Sequence, residues 1–220
     1  MRRLLVTASL VALGVGCGSA GSASAAGSSS AKVNPLRSTC GLCVGISVST
    51  TAASPTSEMS SLTADVLAVR FATAKYASNL ALAKADGYQI ITRMIPDMGY
   101  QFMNPAVKGF DVTRPPILVY EHTVNGWQLG ALEWVFTSKP ATPPLPGAQY
   151  GTFGAACHYV DGTFLFASSE SKCAPTSPQT GAKFNFWHPN LVTLHFWVWY
   201  PNSAGIYSGM NPLVAPFNAG

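Results

Sequence analysis

The chain has 220 residues, with 48% hydrophobic and only 10% charged side chains and a formal net charge of +4. The basic residues are scattered, which excludes a nucleic-acid or polyanion footprint, and no phosphate loop or dinucleotide fingerprint occurs. That length allows one domain of moderate size once a leader is set aside.

Residues 1–25 read as an export signal. Arg2 and Arg3 form a charged start, residues 4–15 an apolar stretch too short to span a bilayer, and Ala23-Ser24-Ala25 a small-x-small cleavage site. Gly14-Val15-Gly16-Cys17 competes as a lipoprotein box with Gly14 where Leu is usual. Attachment to a membrane is expected only if Cys17 is lipidated. Either reading places the protein outside the cytoplasm. Cleavage near Ala25 removes both arginines and, since no acidic residue precedes Glu58, leaves the mature chain close to neutral.

Residues 26–60 are rich in Ser, Ala, Gly and Thr and poor in large apolar side chains. They cannot bury enough surface to offset their ordering entropy and read as a disordered tether. A single globular domain is expected over residues 61–220. Four cysteines remain after cleavage, and three pairings are open. Cys157 with Cys173 is preferred, because Asp161-Gly162 between them is a hairpin signal that brings the flanks together. Cys40 and Cys43 would then bridge each other. The segment around them lacks the strand–helix context of a redox pair.

Residues 63–86 read as one helix. Leu62, Val66, Val69, Tyr76 and Leu80 fall near one stripe, and Gly87 sits where a C-terminal cap belongs. From Tyr88 onward the pattern is strands and loops. Residues 90–93 and 117–122 are strand candidates, and Asn125-Gly126 joins the second to the apolar run 127–136 as a hairpin. A proline-rich loop covers 140–146, and a second hairpin lies within 150–166. The expected fold is α+β, with one N-terminal helix packed on a mostly antiparallel sheet.

The run from Trp187 to Pro201 is the richest in chemistry, with two of the four histidines and three of the five tryptophans. Its even positions from Val192 to Tyr200 look like core. Its odd positions, Thr193, His195, Trp197 and Trp199, suit a pocket wall. Glu121 and Glu133 interrupt strongly apolar strands, where a carboxylate is costly unless paired, hydrogen-bonded or metal-bound. Such breaks of pattern are where functional sites concentrate. Whether the two glutamates share a face depends on the hairpin: a strict two-residue turn puts them on opposite faces, and a one-residue shift puts them on the same one. Glu121 could instead pair with Arg93 or Arg114. No Gly-x-Ser-x-Gly elbow points to a serine hydrolase.

Several motifs together carry a family resemblance. They include Met98-Gly99-Tyr100-Gln101-Phe102-Met103-Asn104-Pro105, Tyr120-Glu121, Leu132-Glu133-Trp134, Cys157-His158-Tyr159, Trp187-His188-Pro189 and Leu194-His195-Phe196-Trp197-Val198-Trp199. Over about residues 69–218 the chain resembles a group of exported bacterial proteins of actinobacterial type. That group carries no established activity, so the resemblance implies one fold unit and export, not a reaction. Similar chains often have His where this one has Gln101, which implies a poorer metal ligand at that position here.

The expected site is a pocket for a small-molecule ligand, with Trp187, Trp197, Trp199 and Tyr120 as aromatic walls. From the wider set of Glu121, Glu133, His122, His158, His188 and His195, the ligands expected for a divalent transition metal ion are His195, His188 and Glu133. Glu133 and Glu121 are the candidates for acid–base work in metal-assisted hydrolysis or oxidation. A metal-free polar pocket is the competing reading of the same residues. The alternative from another class is a non-catalytic secreted binding or surface protein whose buried His and Glu only fix the fold.

Overall fold

A computed structural model describes residues 55–217. The expected export signal, Cys17 and the expected Cys40–Cys43 bridge lie outside the described residues. Helix α1 spans Pro55–Thr73, so residues 55–60 belong to it and not to a tether. The expected single helix is two. A 3-10 turn over Ala74–Tyr76 follows α1, and α2 runs Leu80–Ala85. The break comes from Asn79, whose side chain accepts a hydrogen bond from Leu82 N and so starts a new helix. Gly87 ends it with φ +100°, as the cap position requires.

Among the described residues nine strands follow: β1 Gln89–Ile95, β2 Gly99–Met103, β3 Ile117–Thr123, β4 Gly126–Phe136, β5 Gly151–Phe153, β6 Ala156–Tyr159, β7 Phe164–Phe166, β8 Phe184–His188 and β9 Leu191–Phe196. They form an antiparallel six-stranded sheet in the order β1-β2-β3-β4-β9-β5 and a three-stranded one in the order β7-β6-β8. The fold is α+β with the helical segment packed on the large sheet. The small sheet covers part of the opposite face.

Each face of the large sheet has its own core. On the helix side, Val69, Tyr76 and Leu80 pack with Leu118, Tyr120, Leu132, Trp134, Leu194 and Phe196. These helix residues are the apolar stripe read from the sequence. On the other side, Ile91, Ile117, Val119, Ala131, Trp197 and Val214 form a second cluster, with Phe186 of β8 packed against it.

The β3–β4 hairpin turns through Val124-Asn125, with Thr123 opposite Gly126. Glu121 lies opposite Gln128, whereas Ile117 lies opposite Glu133. The register slips by one at Gly130, which is an extra residue in β4. Because side chains alternate along a strand, this bulge turns Glu133 to the face that Glu121 already occupies. β6 and β7 form the second hairpin, with Gly162 at φ +84°, and Cys157 and Cys173 are disulfide-bonded. Among the described residues no helix is long and apolar enough to cross a membrane.

Candidate functional site

β4 and β9 are neighbours, and Glu133 and His195 are directly opposed across them. Directly opposed residues share a face, so their side chains meet. Glu133 Oε2 lies 3.6 Å from His195 Nε2 and accepts a 2.7 Å hydrogen bond from Gln101 Nε2. Gln101 is held in turn by Thr92, whose hydroxyl donates to Gln101 Oε1 at 3.2 Å. All four side chains are buried. With no cation at contact distance, burial pushes the Glu133 carboxyl up to about 8 and holds the His195 imidazole down at about 4. Burial thus favours the uncharged form of each, and among the described residues neither His195 nitrogen has a hydrogen-bond partner.

Between the two sheets lies a cavity of about 160 Å³. Glu133 and Gln101 form part of its wall. Ile91, Met103, Ile117, Val135, Phe153, Phe186 and Leu191 supply apolar walls, and His158, His188 and Thr193 complete it. His158 of β6 and His188 of β8 approach through their Nε2 atoms at 3.0 Å.

Other expected site residues lie elsewhere. Glu121 is on the same sheet face as Glu133 but four residues along β3 from its partner Ile117, roughly 13 Å at a strand rise of about 3.3 Å per residue. It is fully buried, and among the described residues neither carboxylate oxygen has a hydrogen-bond partner. Gly99 and Gly130 pack closely on it, and Trp197 lies against Gly130. Arg93 pairs with Asp161 and not with Glu121. Glu121 therefore does not share a site with Glu133, and burial pushes it up to about 8.

None of the four expected aromatic walls lines the cavity. Tyr120 is in the helix-side core, its hydroxyl donating to Tyr76 O at 2.7 Å. Trp187 alternates away from Phe186 and His188, and its indole donates to Ala167 O at 2.9 Å. The long strand expected over 191–200 stops at Phe196, because Trp197 N donates to Ile206 O and the Trp199 and Tyr200 amides both donate to the bulge carbonyl, Gly130 O. Trp197 is buried near Glu121 and donates to Ser208 O at 2.7 Å. Trp199 turns to the helix layer, donating to Thr73 Oγ1 at 2.9 Å beneath the Arg70 guanidinium. The cavity's rings are Phe153 and Phe186 instead.

The expected ligand set His195, His188 and Glu133 does not assemble. His195 sits inside the sheet with Glu133, while His188 is paired with His158 on the small sheet. Among the described residues no group of three or more His, Cys, Asp or Glu is placed to hold a metal ion. His122 is exposed, its ring against Trp127. Sequence reasoning did not single out Thr92, and it marked Gln101 only as a poorer metal ligand, not as the partner of Glu133. Gln101 breaks the apolar pattern of Tyr100-Gln101-Phe102 just as the glutamates break theirs, and that was the available signal.

A comparison of the chain with protein-family models, curated proteins and solved structures finds no match.

Proposed function

We propose that this is an extracytoplasmic binding protein whose inter-sheet cavity takes a small, uncharged, largely apolar molecule of single-ring size, anchored by one polar group on Glu133. The observation that carries this reading is the cavity: about 160 Å³ of space with mostly aliphatic and aromatic walls and a few convergent polar groups. An apolar cavity of roughly 150 Å³ is enough to admit benzene. The polar anchor selects against charge. Burial favours the protonated form of Glu133, which offers a hydrogen bond and no ionic attraction. Gln101 holds its Oε2, which fixes the carboxyl's direction before a ligand arrives.

The Cys157–Cys173 disulfide supports a place in an oxidising compartment, and the reading of residues 1–25 as an export signal supports secretion. The resemblance to exported proteins supports the same placement. A two-carboxylate hydrolytic site gains no support, because Glu121 does not line the cavity.

Methyl NMR of the purified protein during additions of benzene, phenol and indole tests the reading. Saturable shifts of the Ile91, Ile117 and Val135 methyls, tighter for phenol than for benzene, are expected. Val135→Phe should fill the space and abolish them while leaving the rest of the spectrum folded. Methyl resonances unmoved by all three probes would contradict the proposal.

A further inference from the structure

The His158–His188 pair has a proton count that does not close on itself. His158 Nδ1 is 2.7 Å from Ile91 O, and His188 Nδ1 is 2.6 Å from Pro189 O. A carbonyl only accepts, so each Nδ1 carries its ring's proton and donates it. A neutral imidazole has a single N–H. Both Nε2 atoms therefore present lone pairs, and these face one another at 3.0 Å. Two lone pairs at that distance repel unless a cation engages both.

We propose that His158 and His188 form a binding site for a divalent transition metal ion, copper(II) foremost, opening onto the inter-sheet cavity. Two nitrogens 3.0 Å apart and each about 2.0 Å from a metal subtend an angle of roughly 95°. That is nearer the cis angle of a tetragonal site than the tetrahedral one, and tetragonal nitrogen and oxygen sites suit copper(II), which also heads the affinity order. Each imidazole donates its one N–H, at Nδ1, to a backbone carbonyl, the arrangement that orients metal-ligating histidines. The His158 ring is further clamped by stacking on Phe186, with centroids 4.6 Å apart and planes 5° from parallel. His188 is only partly buried and gives an entry path. With two protein ligands, the remaining positions are left for water or a small ligand in the cavity. This site does not depend on the binding of an apolar molecule, and copper alone probes it.

The test uses the purified full chain stripped of metal and titrated with Cu²⁺, read by calorimetry and by electron paramagnetic resonance. One Cu²⁺ per chain with two coordinated imidazole nitrogens is expected. His188→Ala should weaken binding about tenfold or more, and His122→Ala, which changes the exposed histidine, should leave it unchanged. Imidazole ¹⁵N NMR of the unmodified protein with Zn²⁺ needs no variant. The Nε2 resonances of His158 and His188 should move, and those of His122 and His195 should not. Absence of binding, binding indifferent to His188→Ala, loss in His122→Ala, or unmoved His158 and His188 resonances would each overturn the proposal.

Discussion

Glu121 and Glu133 are acids in the wrong surroundings for a charge, and this sets how the protein responds to pH. Burial pushes both carboxyls up to about 8 from an ordinary 4.5, and pushes His158 and His195 down to about 4 from 6.5. A carboxyl with a raised folded pKa holds its proton better in the native state, so its contribution to stability is lost as pH rises from 4.5 toward 8. The buried histidines act in the opposite sense, and their contribution is lost as pH falls from 6.5 toward 4. The two effects oppose each other in the acid range. Between pH 6.5 and 8 the glutamates act alone, and stability should fall by up to about 1.4 kcal/mol per pH unit for each. Urea unfolding across that window should show the decline, and Glu121→Gln should flatten it; an unchanged slope in the variant contradicts the assignment. Gly99 packs on the same carboxyl. It has φ +106°, and an added Cβ would lie 2.5 Å from Glu121 Oε1 and 2.6 Å from Tyr120 O. Gly99→Ala should therefore cost about 2–4 kcal/mol in the same assay. Both glutamates were legible in the sequence as polar residues inside apolar strands. That they share a face was not, because it depends on a bulge whose only mark is a glycine, Gly130, among several.

At the level of elements, the β3–β4 hairpin and the Cys157–Cys173 bridge could be read from their turn residues, since Asn-Gly and Asp-Gly signals act locally. The β6–β7 hairpin of the small sheet was legible in the same way, but its pairing with β8 was not: these strands are three to five residues long, too short for a period to declare itself. The period-two pattern of residues 191–200 was real only as far as Phe196. Beyond it the Gly130 carbonyl and Ile206 capture the backbone amides, and Trp199 leaves the face that its odd position assigned to it. Trp199 instead ties the sheet to α1. Thr73 Oγ1 accepts its indole N–H and donates to Val69 O at 2.7 Å. Thr73→Val keeps the shape and strands that N–H, so a loss of about 1–3 kcal/mol is expected in thermal or urea unfolding; a neutral result contradicts the anchoring role. The disulfide spans a separation of 16 residues, and its removal in Cys157→Ala/Cys173→Ala should cost about 3 kcal/mol by loop closure. Because the bridge secures β6, which carries His158, hydrogen exchange should show β6–β8 opening first while the six-stranded sheet stays protected. Uniform loss of protection would contradict that order.

For the molecule as a whole, the two faces of the large sheet serve different ends. One is sealed by the helical segment with a large aromatic and aliphatic core. The other is shared between the second cluster, the small sheet and the cavity, and it holds Gln101, Glu133, His158 and His188. That division was half legible: the sequence marked Glu133 and His195 as neighbours in a site, and they are 3.6 Å apart. The walls were misread because large aromatics were taken to face a ligand, whereas Tyr120, Trp187 and Trp199 each spend their polar atom on a backbone or hydroxyl partner in the fold. The central claim is that the cavity is a site for an uncharged ligand that meets a protonated Glu133. Its most direct test is the ¹³C shift of the Glu133 carboxyl at neutral pH, followed while phenol is added. The shift should begin at the value of a protonated acid and move saturably with phenol. A carboxyl that is ionised at the outset, or protonated and indifferent to phenol, would contradict it.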